Sequence, residues 1–263
     1  MSLESYYKDH WVTIEDERLD RYEVMFQWSP AFERLLEPAR IQPGQTVGDL
    51  GCGPGFLSEQ LLQRVGPSGH VHAFDVNADF IDRTRARATK AGLADRLTLH
   101  HLKDGDIPLA SGVLDCIIAK NVMVYVDDPR ATFAEFRRVL KPGGKAHAID
   151  SDFGMVAIDP VPPDDWRALM DAAMHAFRTP HIGRKLYGFA RSAGFREVDV
   201  QILASPDTKG RLLNFAQNIA GYAREAGSFE ESAIQAILDT ATQALEDGTY
   251  FAVNPQFVVT ATL

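Results

Sequence analysis

Between residues 46 and 150 short apolar runs alternate with longer segments whose apolar positions recur every three or four residues. The first rhythm predicts strands, the second amphipathic helices. Strands are expected at Thr46–Leu50, His70–Asp75, Leu97–His101, Gly112–Ala119 and Lys145–Asp150. Helices are expected at Phe56–Val65, Ala78–Ala91 and Arg130–Leu140; the last carries Phe133, Phe136, Val139 and Leu140 on one face. Asn77 is placed to cap the second helix, and Asp128-Pro129 to open the third. The fourth strand is apolar enough to be central in a parallel sheet.

The flanks read differently. Before Arg40 the chain is rich in aromatics: Tyr6, Tyr7, Trp11, Tyr22, Phe26 and Trp28. Ser29 can cap a helix that begins at Pro30. After Asp150, helices are expected near 164–177, 183–193 and 209–226. A further helix opens with a capping box at Ser228-Phe229-Glu230-Glu231 and ends at Gly248. Strands are expected at 195–203 and, bent near Pro255, at 250–263. The whole predicts an α/β, doubly wound, Rossmann-like fold around a seven-stranded, mostly parallel sheet. Residues 1–40 are expected to form a helical cover, and 41–263 the main domain with lid helices near 164–177 and 209–246. Right-handed crossovers put the parallel strands' C-terminal ends on one rim. Asp49, Asp75, the 101–106 region, Lys120-Asn121 and Asp150-Ser151 therefore converge there.

Composition narrows the partners. No apolar run approaches the roughly 18 residues of a membrane span, and the first ten residues lack a basic-then-apolar export signal. With only Cys52 and Cys116, a disulfide framework is not expected and a cytoplasmic location fits. The net charge is −9, so nucleic acid is a poor partner. The basic stretch Asp82-Arg83-Thr84-Arg85-Ala86-Arg87 reads as a solvated helix face. His70 with His72, and His100 with His101, lack further ligands at metal-binding spacing, so no metal is expected.

The densest chemistry lies in Val47-Gly48-Asp49-Leu50-Gly51-Cys52-Gly53-Pro54-Gly55, between a strand and a helix. Glycines there let backbone lie flush against a ligand, and the helix aims free N–H groups at the turn. Further segments follow in order: FDVN at 74–77, DGDIPL at 104–109, LDCIIAKNV at 114–122 and FRRVLKPGGK at 136–145. Together they resemble class I S-adenosylmethionine-dependent methyltransferases, of the small-molecule type that serves ubiquinone and menaquinone biosynthesis. The resemblance covers about residues 40–150.

It implies that Gly51, Cys52, Gly53 and Gly55 approach the methionyl part of S-adenosylmethionine, with Asp49 toward its amino end. Asp75, with Val76 beside it, would take the ribose hydroxyls. Asp104 and Gly105 would meet adenine, unless Lys103 or Asp106 has shifted into that role. Lys120 and Asn121 would border the methyl-transfer pocket. The turn lacks the Gly-x-Gly-x-x-Gly pattern of a nicotinamide-dependent oxidoreductase, which is the weaker alternative. A protein that keeps the cofactor for non-methylating chemistry is a second.

Methyl transfer is an in-line displacement at an already activated carbon, so alignment and dryness are the protein's main contribution. A general base is needed only for a protonated nucleophile. His181, His10 and Tyr6 are the candidates, with Asp150 and Asp152 behind them. Trp11, Tyr125, Asp150 and Arg184 are expected around a small-molecule acceptor, although for Arg184 pairing with a local acid is favoured over a substrate carboxylate. Arsenite is disfavoured as acceptor because only two cysteines are present. The two late helices could offer a homodimer face or simply close the lid.

Overall fold

The computed structural model describes residues 3–103 and 106–263, apart from the side chains of residues 16, 17 and 21. Two short helices come first, α1 (Tyr6–Val12) and α2 (Asp16–Met25). Ser29 accepts a hydrogen bond from the Ala31 N–H and starts a 3-10 turn at Pro30–Phe32 that leads into α3 (Glu33–Leu36). There follow β1 (Thr46–Leu50), α4 (Phe56–Val65), β2 (His70–Asp75), α5 (Ala78–Lys90), β3 (Leu97–His101), β4 (Leu114–Lys120), α6 (Pro129–Val139) and β5 (Leu140–Ser151). Next come β6 (Ala157–Asp159), α7 (Pro163–Ala172), α8 (Ile182–Ser192), β7 (Glu197–Leu203), α9 (Leu213–Ala226), α10 (Glu231–Glu246), β8 (Phe251–Val253) and β9 (Gln256–Thr262).

Seven strands form one sheet in the order β3-β2-β1-β4-β5-β9-β7. The first five are parallel, and β9 runs antiparallel between β5 and β7. The order reverses between β1 and β4, the place where open α/β sheets leave a crevice. On β4, Ile117 and Ala119 join the core on one face of the sheet, whereas Cys116 and Ile118 join the core on the other. Alternate residues of a strand point to opposite faces, so an all-apolar strand needs helices on both sides.

The predicted caps mostly form. The Asn77 side chain accepts from the Phe80 N–H at 2.9 Å, and Asp128 accepts from Arg130 and Ala131. The capping box at Ser228 does not: α10 starts three residues later, with Glu230 at its cap position and no side-chain cap bond. The closing strand breaks at Asn254-Pro255. Its first part, β8, pairs with β6 in a separate two-stranded sheet, and only β9 joins the main one. Proline has no N–H to give a ladder, which accounts for the break.

The basic stretch on α5 is not simply solvated. Arg83 pairs with Asp20 (3.2 Å) and Glu23 (3.4 Å) on α2, and Arg87 pairs with Glu23 and donates to the Pro54 carbonyl. This strip docks α2 against the main domain. At the other end, Tyr7 and Lys8 of α1 reach Asp127. Asn77 also donates to the Trp11 carbonyl at 2.9 Å. The N-terminal helices therefore lie across the rim where the parallel strands end. Deeper, fully buried His147 on β5 contacts the Thr260 hydroxyl (2.9 Å) and the Leu35 carbonyl (2.8 Å), tying α3 to the sheet.

Candidate active site

The turn after β1 is built around positions that exclude side chains. Gly51 has φ +68°, and a Cβ there would collide with Val122. Gly55 has φ +86°, and a Cβ would sit 2.8 Å from the Thr84 backbone. Both positions strain any L side chain. Above Gly53 the nearest side-chain atom is in the Phe26 ring, 4.0 Å from an ideal Cβ. The Cys52 side chain turns away from the rim, packs with Ala73 and Ile81, and has its thiol pushed up by burial. Any contact it makes to a ligand at the turn is therefore through its backbone.

Two carboxylates flank this turn. Asp49 is buried; one oxygen accepts from the Ser58 hydroxyl at 2.6 Å, and Oδ1 has no partner. Burial raises its pKa to about 7, with the Asp75 charge adding and Ser58 and Lys120 opposing. Asp75 accepts from the Gly53 N–H (2.8 Å) and the Asn77 N–H (2.9 Å). Burial raises it to about 6 against these bonds. Each of its oxygens keeps a second lone pair for a hydroxyl donor. Val76 beside it is 37% exposed. The residues expected to meet adenine, Asp104 and Gly105, lie outside the described residues.

At the end of β4, Lys120 lies over the Phe32 ring at 4.9 Å. Burial lowers its pKa, while Asp150 and Asp49 support its charge. Asn121 adopts φ +57°, which turns the chain sharply at the strand end. Asp150, raised by burial to about 7, accepts from the Val124 N–H (3.1 Å) and the Ser151 N–H (3.0 Å). It shapes the 121–125 turn rather than standing free as a pocket acid. Lys120 between two buried acids is a feature that sequence spacing does not reveal.

Next to the turn stands an aromatic cluster drawn from five parts of the chain. Trp11 stacks on Tyr22 (5.1 Å) and meets Tyr125 edge-on (5.0 Å). His10 stacks on Tyr6 (4.7 Å) and meets Tyr222 of α9 at 5.6 Å. Tyr6 also contacts His175, 5.0 Å away. Tyr22 stacks on Phe26, the ring over Gly53. His10 Nδ1 faces the Tyr6 carbonyl, so that nitrogen must carry the proton and Nε2 must present its lone pair. Burial lowers the His10 pKa to about 4, which keeps the ring neutral. His10 Nε2, Trp11 Nε1, Arg18 Nη2 and both His175 nitrogens are buried without a partner. Unpaired buried polar groups cost about 1–3 kcal/mol each, so their gathering in one place is informative.

His10, Tyr6, Trp11 and Tyr125 are thus brought together, whereas His181 and Arg184 are not part of this cluster. Arg184 pairs with fully buried Asp152, its Nη2 at 2.7 Å. His181 Nδ1 lies 3.3 Å from the same carboxylate without hydrogen-bond alignment. Burial pushes Asp152 up, but Arg184 outweighs it and holds the carboxyl below its usual range. Of the two partners expected for Arg184 the structure shows the favoured one, a local acid, which corrects its placement around the acceptor and also anchors the start of α8. Arg18 and His175 were not legible as site residues. One is an arginine in a charged helix and the other a lone histidine, and nothing in their neighbours' spacing marks them. A cavity of about 290 Å³ at the N-terminal side of the sheet, lined by Glu33, Arg34, Glu37, Arg40 and Arg64, lies away from all of these groups.

Comparison with known proteins bears on the domain and its fold. Residues 47–144 match the methyltransferase domain family. An uncharacterized 37.1 kDa protein in transposon Tn4556 of Streptomyces fradiae is 31% identical over 86% of this chain and 65% of its own length. A ubiquinone/menaquinone biosynthesis C-methyltransferase from Brucella anthropi is 28% identical over 64% of this chain and 60% of its own length. The chain thus spans less than two thirds of these relatives. Phosphoethanolamine N-methyltransferase 2 of Haemonchus contortus, solved with S-adenosyl-L-methionine, superposes with TM-score 0.65 over 99% of this chain and 60% of that one, at 16% identity. The family match over residues 47–144 takes in the glycine turn with Asp49 and Asp75, so this part of the chain is a methyltransferase domain, set in a sheet of the order found here.

Proposed function

We propose that this protein moves a methyl group from S-adenosylmethionine to a small organic acceptor. The reading rests on one observation above others: Asp49 Oδ1, buried and unpartnered, stands at the foot of a turn whose Gly51 and Gly55 admit no side chain. A cationic amino group there would supply the missing partner, and a free ribose diol would satisfy the open lone pairs of Asp75. The donor set therefore fits the cofactor that the family implies.

When bound, S-adenosylmethionine supplies a sulfonium-activated methyl. The chain's residues do the remaining work. Gly51 and Gly53 allow close approach, Asp49 and Asp75 orient, and the aromatic cluster excludes water. His10 Nε2 is the acceptor for a proton on the nucleophile. A base with so low a pKa is weak, but a hydroxyl or amine becomes strongly acidic as its new bond to carbon forms, so a weak base suffices. Residues 1–40 act as the cover, and the helices at 164–177 and 209–246 as lid elements. No helix among the described residues is long and apolar enough to cross a membrane. The two free, buried cysteines are in keeping with a cytoplasmic setting.

Calorimetry with S-adenosylhomocysteine and with NADH, followed by a labelled-methyl screen against a metabolite extract, tests this. S-adenosylhomocysteine should bind and label should transfer. Binding of NADH alone would point to an oxidoreductase, and cofactor binding without transfer to non-methylating chemistry. Asp75→Ala should weaken S-adenosylhomocysteine about a hundredfold, since two hydrogen bonds to a carboxylate are lost; wild-type affinity would misplace the ribose.

A further inference from the structure

Arg18 is the residue of this site that family motifs do not account for. It sits on α2 among the tyrosines, with its guanidinium 5.4 Å from the Tyr22 ring centre. Nε donates to the Tyr22 hydroxyl at 3.0 Å, Nη1 lies 4.0 Å from Glu15, and Nη2 is buried with no partner. The side chain of Glu15 is 79% exposed against 17% for that of Arg18. Water screens so exposed a carboxylate, and it offsets little of the cost of withdrawing the guanidinium from solvent. Among the described residues, no other carboxylate forms an ion pair with Arg18. His10, its neighbour in the cluster, is 1% exposed and presents Nε2 as an acceptor.

Aromatic walls alone would suit a methylammonium group as well as a flat ring. The guanidinium inside the cluster decides between them, because a second cation would be repelled. We propose that the cluster selects a hydroxylated aromatic acid as methyl acceptor, its carboxylate on Arg18 Nη2, its ring against Trp11 and Tyr125, and its hydroxyl on His10 Nε2. The assignment rests on the methyl-transfer reading above. In the reaction the acceptor oxygen bonds the methyl carbon and the sulfur–carbon bond breaks with its electron pair left on sulfur. The hydroxyl proton passes to His10 and from there to water.

The test is calorimetry on the full chain saturated with S-adenosylhomocysteine, near neutral pH. The probes are 4-hydroxybenzoate, the neutral 4-hydroxybenzamide and the cation tyramine. The acid should bind at least about tenfold tighter than the amide, the scale of one charge-assisted hydrogen bond, with tyramine weakest. Arg18→Met should bring acid and amide to within about threefold, and Arg18→Lys should keep part of the preference. S-adenosylhomocysteine affinity should be unchanged in both variants. Equal binding of acid and amide, preference for tyramine, or no binding of any probe by the wild-type chain would overturn the proposal. So would loss of S-adenosylhomocysteine in a folded Arg18→Met protein, which would move Arg18 to the donor. If Arg18→Met does not fold by circular dichroism, the wild-type ratio and Arg18→Lys still decide. Failure of wild-type protein to bind S-adenosylhomocysteine sinks the methyl-transfer reading instead, so the two failures are told apart.

Discussion

The glycine turn and the aromatic cluster lie side by side yet are made in opposite ways. The turn is a run of nine consecutive residues plus one acid from the next strand, and most of what it offers is backbone. The cluster takes side chains from α1, α2, the turn after β4, the segment at His175 and α9. A backbone device needs glycine at fixed positions, so its sequence is constrained and recognisable. A side-chain device needs only that certain groups meet, and many chains of different sequence could bring them together. The proposed donor site is therefore legible in a short stretch of sequence, while the proposed acceptor site is assembled only by the fold.

The sharpest way to break the contrast is Gly51→Val. A β-branched residue at φ +68° that also meets Val122 should remove S-adenosylhomocysteine binding by about a hundredfold or more, as calorimetry would read. Retained binding would mean the turn does not work through backbone approach. His10→Ala tests the other half. It should lower kcat by about a hundredfold and leave cofactor affinity within about threefold. A change confined to cofactor binding would move His10 out of the acceptor site.

A smaller effect should follow from pH. Asp49 without ligand titrates near 7, and only its ionised form attracts an ammonium group. Cofactor affinity should then hold above that pKa and fall as pH drops through it, by about tenfold per unit below. The same shift makes Asp49 a stability cost. Its folded pKa lies above the unfolded one, so the cost is absent below about pH 4 and complete above about pH 7. Asp49→Asn should flatten the binding profile at a low plateau and raise the melting temperature at alkaline pH. A profile unchanged in that variant would assign the titration elsewhere. The least effect is expected from Arg83→Ala, which removes half-exposed pairs between α5 and α2 worth under about 1 kcal/mol. It should raise the acceptor KM a few-fold without touching the cofactor.

Legibility followed the same division. The strands from β1 to β4 and the helices α4 to α6 fall within two residues of the apolar rhythm, because a central parallel sheet forces that rhythm on the chain. Asp49 and Asp75 were readable from their places at strand ends. The closing strand was readable only as an apolar stretch; its division into β8 and β9 depends on which neighbours accept each half. Arg83 and Arg87 looked like a solvated face because their partners, Asp20 and Glu23, lie some 60 residues away in sequence. Arg184 likewise could not be assigned until Asp152 was seen beneath it.

Local pattern by itself thus determined the sheet, the crossover helices and the glycine turn, since each depends on spacing within a few residues or on strand ends that topology gathers; the class of donor followed from the resemblance of the ordered motifs. Tertiary structure alone decided that α1 and α2 lie over that turn, that His10 turns a bare nitrogen into a ring of tyrosines, and that Arg18 Nη2 is buried there without a partner among the described residues. These depend on burial and on contacts between distant segments. Desolvation and pairing belong to the folded surroundings of a residue and leave no period in its sequence.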